Sequence, residues 1–245
     1  TVLRAVVEIG DGQTVVRFAE PAEFQTWIGP QFSSAPIDGS VSSFLAQISD
    51  PDEYFTYPTV VELTELPTFG SAYYWQGNIY YDAPEAPPLT AGTLLDSIGY
   101  IARDTNGSEY KGEFFVSLSE QSFDEAYPNG HGITSVRSSL QRHDSNRVLI
   151  DINYNFNLPA QFVESNFVKL QIIASDDSYF DRGDTVLSET DITSTWTSGN
   201  SGRSAYYYGE RDEPFYLMLR QFTPDTEFVS LPVYMDPERA GQHAE

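Results

Sequence analysis

The sequence predicts an all-β protein made of antiparallel β-sandwiches of the immunoglobulin-like, Greek-key kind, with one or two short helices in the N-terminal part. Short segments alternate apolar and polar residues, and the clearest is Arg147–Asn157, which alternates from Leu149 onward. Side chains on a strand point to opposite faces in turn, so this alternation indicates a strand with one buried face and one wet face. About a dozen such segments, separated by turn residues, follow at the spacing of a sandwich.

The N-terminal residues predict a hairpin and then a helix. Residues 2–9 and 13–18 are rich in β-branched side chains, and Asp11-Gly12 between them suits a turn that needs positive φ angles. Residues 21–28 place a proline and a glutamate in the first helical turn, and apolar residues follow at helical spacing. We therefore expect a short amphipathic helix there, packed at the end of a sheet.

The next segments are less uniform. Residues 40–48 allow either a second short helix or a strand, because the run is too short for its periodicity to decide. Residues 59–66 and 71–81 predict strands, and the second of them is strongly aromatic.

A proline cluster then interrupts the chain. Residues 84–88 contain three prolines, which remove backbone donors and force an extended conformation. We place a boundary there, which gives an N-terminal β domain with short helices at residues 1–88 and an immunoglobulin-like sandwich at residues 89–235. Residues 236–245 form a polar tail.

The second half of the chain carries the densest succession of strand signals. Turn residues at 104–107 separate the strands predicted at residues 93–102 and 113–119. Pro232 suits the strand predicted at residues 227–234 as an edge strand. We also expect a short edge strand at residues 136–140. The other strands are predicted at residues 93–102, 113–119, 147–157, 167–173, 204–208, 214–220 and 227–234.

One turn in this half is unusually acidic. Calcium prefers several carboxylate and carbonyl oxygens, and four aspartates lie within nine residues, although not at EF-hand spacing. The sequence thus offers one candidate metal site and predicts no other cofactor. The alternative is a solvated turn in which Phe180 packs inward and the aspartates cap backbone amides. The four residues are Asp176, Asp177, Asp181 and Asp184.

The order of these signals resembles the CARDB repeat over roughly the last hundred residues. The resemblance implies an immunoglobulin-like sandwich related to the cell-adhesion modules of bacterial and archaeal surface proteins. A second, weaker echo of the pattern occupies residues 113–124. The matching residues are Ser175, Asp177, Phe180, Asp181, Gly183 and Asp184, followed by Phe215, Tyr216 and Leu217.

The charge balance restricts the partners. The chain has 36 acidic and 13 basic residues, a net charge of -23, and only two lysines. Phosphate binding needs clustered cations, so a nucleic-acid partner is not expected. Self-repulsion of this size is tolerated best in concentrated salt, which shortens the Debye length from about 8 Å to about 3 Å. We therefore expect either adaptation to a saline habitat or an acidic secreted protein.

Other features exclude several classes. There is no cysteine, so disulfides and thiolate chemistry are excluded. No apolar run approaches the roughly 20 residues that span a bilayer, and no cationic-then-apolar leader is present. The three histidines lie outside any known catalytic motif. We therefore predict no catalytic residues, and with so many carboxylates no glycosidase pair stands out.

Aromatic residues form the candidate interaction surface. Successive tyrosines on a strand point to opposite faces, so half of each tyrosine run is expected in the core. The exposed half can contact another subunit or stack on a carbohydrate, since flat rings offer much contact area for little lost rotamer entropy. The candidate surface residues are Tyr73, Trp75, Tyr81, Tyr206 and Tyr208.

The sequence therefore favours a non-enzymatic structural or adhesive subunit of an extracellular assembly, such as a cell-surface layer, a filament or a virion shell. Self-association or contact with other subunits would be its mode of action. The first alternative is a carbohydrate-binding or lectin-like domain with a glycan as partner. The second is a glycoside hydrolase or lyase on a sandwich fold.

Overall fold

A computed structural model describes residues 5–10, 13–18, 26–27, 29–43, 48–49, 55–56, 58–84, 94–105, 107–144, 147–164, 167–181, 183–192, 196–208 and 213–239. Within these residues the protein is mostly β, as the sequence predicts. The first ten strands are β1 (Ala5–Gly10), β2 (Gln13–Phe18), β3 (Thr26–Trp27), β4 (Gln31–Ala35), β5 (Ser40–Ser42), β6 (Ile48–Ser49), β7 (Phe55–Thr56), β8 (Thr59–Glu65), β9 (Ser71–Trp75) and β10 (Asn78–Asp82).

The remaining strands include the longest ones. They are β11 (Leu94–Arg103), β12 (Glu109–Leu118), β13 (Gly132–Asp144), β14 (Arg147–Asn157), β15 (Val168–Ser175), β16 (Thr185–Ile192), β17 (Ser198–Tyr207), β18 (Phe215–Phe222), β19 (Glu227–Val229) and β20 (Val233–Met235). The helices are short: α1 (Phe123–Ala126), α2 (Ala160–Val163) and single 3₁₀ turns at Pro128–Gly130 and Pro237–Arg239.

Three of the sheets build the body of the protein. The largest has the strand order β17-β14-β13-β4-β12-β11-β8, and β3 also pairs with β12. A five-stranded sheet runs β16-β15-β18-β19, with β20 on β18, and a three-stranded sheet runs β5-β10-β9. All pairings between these strands are antiparallel except those of β12 with β3 and with β4.

The large sheet packs on a different partner sheet with each of its faces. Phe115 of β12 lies in a first core with residues of β14, β15 and β18. Its neighbour Phe114 lies in a second core with residues of β10 and β11. Adjacent residues of a strand point to opposite faces. The five-stranded sheet therefore covers one face of the large sheet, and the three-stranded sheet covers the other.

Strands β4 and β12 belong to both cores, because they lie where the two covered regions overlap. Every residue of β4 is buried, and so are residues 114–118 of β12. Phe32 and Phe115 stack in the first core with ring centroids 5.2 Å apart. Parallel strands are found mainly where both faces of a sheet are covered, which matches the parallel pairing of β4 with β12.

Two serines satisfy polar groups inside this doubly buried region. Ser33 Oγ donates to the carbonyl of Val136 at 2.8 Å. Ser117 Oγ accepts from the backbone N–H of Tyr234, also at 2.8 Å. A buried backbone group without a partner costs free energy, so these hydroxyls allow β13 and β20 to approach the pair without a loss of hydrogen bonding.

Several predicted elements are confirmed. Strands β1 and β2 pair as a hairpin whose register closes at Gly10 and Gln13. Strands β11 and β12 pair over ten residues around the predicted turn, where Asp104 accepts from the Ser108 N–H at 2.9 Å. The strand predicted at residues 147–157 has the expected alternation of buried and half-exposed residues.

Other predictions were wrong in place or type. Of the helix predicted over residues 21–28, Thr26–Trp27 is strand β3, and the rest lies outside the described residues. The two α-helices lie instead at Phe123–Ala126 and Ala160–Val163. The segment 136–140 is not an edge strand, because β13 lies between β14 and β4.

The predicted domain boundary falls on residues that are mostly outside the described part of the chain. Strands from both sides of it pair with each other: β4 with β12, and β8 with β11. The division at residues 84–88 stays a prediction.

Buried tyrosines make stability depend on alkaline pH. Burial raises the pKa of Tyr100 and of Tyr127 above the ordinary tyrosine range. The unfolded chain releases these protons near pH 10, whereas the folded protein retains them. The contribution of these tyrosines to the free energy of unfolding should therefore be constant through neutral pH and fall as pH rises above about 10.

Tyr100→Phe tests this account. The hydroxyl of Tyr100 is buried and has no hydrogen-bond partner among the described residues, so its removal should leave stability unchanged at pH 7 or raise it by about 1 kcal/mol. It should also reduce the loss above pH 10. Tyr110→Phe is the matched control, because the Tyr110 hydroxyl donates to Asp104 at 2.8 Å, and it should cost about 1 kcal/mol. Urea unfolding at pH 7 and above about pH 10 measures the free energy of unfolding of both variants. A large loss of stability in Tyr100→Phe would contradict the account.

Candidate functional site

The outer side of the three-stranded sheet carries an exposed cluster of aromatic rings, here called the aromatic face: Tyr73, Trp75 and Tyr80. Tyr73 and Trp75 alternate on β9, and Tyr80 is the cross-strand partner of Tyr73 on β10. Tyr73 is 51 % exposed and Trp75 57 %. In a monomer such side chains are more often covered, so a contiguous exposed group of them indicates an interaction surface.

The rings of the aromatic face contact one another. Tyr73 and Tyr80 stack with centroids 5.3 Å apart and planes 11° from parallel. Trp75 is tilted by 53° against Tyr80 at 6.2 Å. Because the two tyrosines cover each other, each has one ring face left.

A tight turn fixes the register that brings these rings together. Gln76 and Gly77 connect β9 to β10 and have φ angles of +49° and +81°. Two successive residues with positive φ form the turn whose twist matches a two-residue hairpin, and glycine at the second position adopts it without strain.

The other side of β10 is locked into the second core, whereas Tyr74 on the other side of β9 is 47 % exposed. Ile79 and Tyr81 are fully buried there. The Tyr81 hydroxyl donates to Asp96 Oδ2 at 3.0 Å. Tyr81 therefore does not belong to the interaction surface, contrary to prediction. It follows Tyr80 directly and so points to the opposite face of the strand.

Asp96 holds the loop that precedes β9. This carboxylate is 1 % exposed and accepts from the backbone N–H groups of Thr68, Phe69 and Gly70 at 2.6, 3.1 and 2.9 Å. A Cβ at Gly70 would collide with the Tyr81 ring, so the loop can approach only with glycine there. Burial, followed by the charge of Asp96, raises the pKa of Tyr81, which keeps the hydroxyl protonated as a donor.

A second exposed aromatic group lies at the edge of the large sheet. Tyr206 and Tyr208 are 37 % and 71 % exposed, with centroids 6.1 Å apart. The Arg147 guanidinium lies 5.0 Å from the centre of the Tyr206 ring. Tyr207 between them points inward and stacks on Phe215 at 4.3 Å. This pair differs from the aromatic face in having a cation in contact.

The acidic turn uses several of its carboxylates on its own backbone. Asp177 Oδ1 accepts from the Tyr179 N–H at 2.8 Å, and Asp184 Oδ2 from the Asp181 N–H at 2.8 Å. Asp181 accepts from the N–H of Gly183, and Asp176 is exposed. Within the described residues, no three acidic or histidine side chains form a group arranged to hold a metal ion. Calcium binding at this turn stays a prediction.

A small apolar pocket was missed by the reasoning from sequence. It lies between the large sheet and the five-stranded sheet, and Arg203, Gln221 and Trp196 contribute to its lining. A signal for it exists in the sequence: Gln221 continues the inward series Phe215, Leu217, Leu219 with a polar residue at a core position.

Comparisons with known proteins do not identify the chain. No protein-family model and no curated protein matches it. The C-terminal domain of the AgI/II polypeptide BspA of Streptococcus agalactiae is similar with a TM-score of 0.22 and 10 % identity, covering 85 % of this chain and all of that chain. A structure named BspA_C_WT gives a TM-score of 0.20 and 9 % identity, covering 84 % of each chain. These TM-scores are too low to inform fold or function.

The resemblance to the CARDB repeat stays a prediction as well.

Among the helices in the described ranges, none has the length and apolar character needed to cross a membrane.

Removal of the Asp96 carboxylate should detach the loop from the sheet. Asp96→Ala leaves three backbone N–H groups and the Tyr81 hydroxyl without their acceptor, so it should lower the free energy of unfolding by about 3 kcal/mol or more. Tyr81→Phe removes one donor only and should cost about 1 kcal/mol. Urea unfolding measures both changes, and equal, small losses would show that this clamp does not hold the aromatic face.

Proposed function

We propose that this chain is a non-enzymatic structural or adhesive subunit of an extracellular assembly, such as a cell-surface layer, a filament or a virion shell. The aromatic face is the observation that carries the proposal. It presents Tyr73 and Trp75 to solvent, with the half-buried Tyr80 beside them, on a sheet held from below by Ile79, Tyr81 and the Asp96 clamp. A rigid surface of this kind loses little conformational entropy when a partner covers it.

The ring geometry favours a protein partner over a sugar. A sugar ring stacks on an open aromatic face, and the mutual stacking of Tyr73 and Tyr80 covers one face of each. Ring edges and hydroxyl groups suit a protein interface, where tyrosine is enriched and its hydroxyl finds hydrogen-bond partners.

The position of the rings within their sheet supports the same conclusion. Within the described residues, β9 is an outer strand of the three-stranded sheet, and β17 is an outer strand of the large sheet. Outer strands present unpaired backbone groups that another chain can join. The aromatic face and the Tyr206–Tyr208 pair therefore each lie beside an edge at which a neighbouring subunit can add both ring contacts and backbone hydrogen bonds.

The charge sets the condition for assembly. Copies with a net charge of -23 repel one another. Concentrated salt screens this repulsion, so that it acts over only a few ångströms. The aromatic face itself contains no charged side chain, so the screening of charges by salt does not weaken its apolar contacts. An assembly that works in a saline environment follows from these two properties.

Carbohydrate binding is the alternative that Trp75 supports. Its ring is tilted away from the stacked tyrosines and is more than half exposed, so it offers an open face to a sugar. A glycan array distinguishes the two functions: glycan binding that is lost in Trp75→Ala would assign the surface to carbohydrate.

Self-association should depend on the aromatic face and increase with salt. Sedimentation velocity in about 0.1 M and about 2 M NaCl should show larger species at the higher salt, where the Debye length is shortest. Tyr73→Ala/Trp75→Ala should abolish them without loss of stability. Leu66→Ala/Phe167→Ala removes two equally exposed apolar side chains, 70 % and 72 %, elsewhere and should have no effect. A wild-type monomer at every salt and protein concentration would refute the proposal.

A further inference from the structure

The small pocket at the end of the first core is lined mainly by apolar and aromatic side chains, with Asn200, Ser201, Arg203 and Gln221 as its polar members. It has a volume of about 130 Å³ and lies between the end of β14 and the five-stranded sheet. Phe156, Leu158, Val168 and Ile192 line it, and Trp196, which is 68 % exposed, lies at its rim. A cavity of about 150 Å³ with such walls holds one benzene ring, so this pocket is the size of a single six-membered ring.

Two buried polar atoms interrupt the apolar lining. Gln221 is 2 % exposed and shares the inward side of β18 with Leu217 and Leu219. Arg203 pairs with Ile152 and projects between the sheets from β17. Gln221 Oε1 and Arg203 Nε are buried without a hydrogen-bond partner in the part of the chain that the structure describes. The Arg203 Nη1 group, by contrast, donates to the carbonyl of Gly202 at 2.7 Å.

These two atoms specify the chemistry of a ligand. A buried donor and a buried acceptor that lack partners are costly, and a group that satisfies both removes the cost. A single hydroxyl that lies within reach of both atoms would do so, because its oxygen would accept from Arg203 Nε and its hydrogen would be donated to Gln221 Oε1. A sugar does not fit, since most of its several hydroxyl groups would meet the seven apolar or aromatic side chains of the lining. A carboxylate does not fit either, since it has no hydrogen to donate to Gln221.

We propose that this pocket binds one hydroxyphenyl group, with the ring between the apolar walls and Trp196 and the hydroxyl between Arg203 and Gln221. A free phenol and a tyrosine side chain of another copy are two sources of the same group. No residue of the aromatic face lines the pocket, so this site succeeds or fails independently of the assembly proposed above.

Two isomeric ligands test the proposal on the intact chain. p-Cresol and anisole have the same atoms and nearly the same size, but only p-cresol can donate a hydrogen bond. Calorimetric titration should show p-cresol binding about tenfold more tightly, the value of one buried hydrogen bond. Gln221→Met keeps the side-chain length and removes the acceptor, so it should bring the two affinities close together while both ligands still bind.

The outcomes separate cleanly. Failure of p-cresol to bind at millimolar concentration, or equal affinity for the two isomers in the wild type, overturns the proposal whatever the variant does. A preference for p-cresol that persists in Gln221→Met also overturns it. If p-cresol binds and also reduces the size of the species seen in about 2 M NaCl, the group comes from a tyrosine of a neighbouring copy. If the species are unchanged, the group is a free phenol.

Discussion

Burial of β4 and β12 on both faces is the constraint on which the rest of the fold depends. A strand that serves two cores cannot alternate polar and apolar residues, and β4 is buried along its whole length although three of its five residues are polar. Its serines are compatible with burial because hydroxyls can bond nearby backbone groups, as Ser33 does with Val136. The parallel pairing agrees with the same burial, since parallel strands are found mainly where both faces of a sheet are covered.

This constraint also determines which surface is left for function. The second core fixes the inner side of the three-stranded sheet through Ile79 and Tyr81, and alternation along β9 and β10 then directs Tyr73, Trp75 and Tyr80 outward. The β10 part of the aromatic face is therefore held in place by Ile79 and Tyr81 on its opposite side, whereas Tyr74 behind β9 is exposed. The same alternation directs Tyr207 into the first core and leaves Tyr206 exposed.

Local signals allowed much of this to be predicted. The β1–β2 hairpin, the β11–β12 hairpin and the alternation of β14 depend on neighbouring residues, and the sequence contains that information. The pairing of β4 with β12 joins residues about eighty positions apart, and no local pattern encodes it. Residues 21–28 illustrate the limit: their spacing fits a helix, yet Thr26–Trp27 pair with β12, because tertiary contacts override a short periodic pattern.

The candidate sites divide in the same way. The expectation that half of each tyrosine run is buried holds for Tyr81 of β10 but is wrong for β9, where Tyr73, Tyr74 and Trp75 are all exposed. Alternation also could not decide between Tyr80 and Tyr81, because it does not show which side of the strand faces the core. The pocket was beyond prediction because Arg203 and Gln221 belong to strands of different sheets. Gln221 alone signals a polar core position, and its partner in the pocket becomes visible only when the sheets are packed.

Native-state hydrogen exchange tests the central role of the β4–β12 pair most directly. If this pair joins both cores, amides of β4 and β12 should exchange slowest, and amides of β10 and β14 should exchange through one common unfolding reaction with the same denaturant dependence. Exchange of β10 and β11 through a separate opening of lower free energy, with β14 and β15 still protected, would contradict the account and show two independent units.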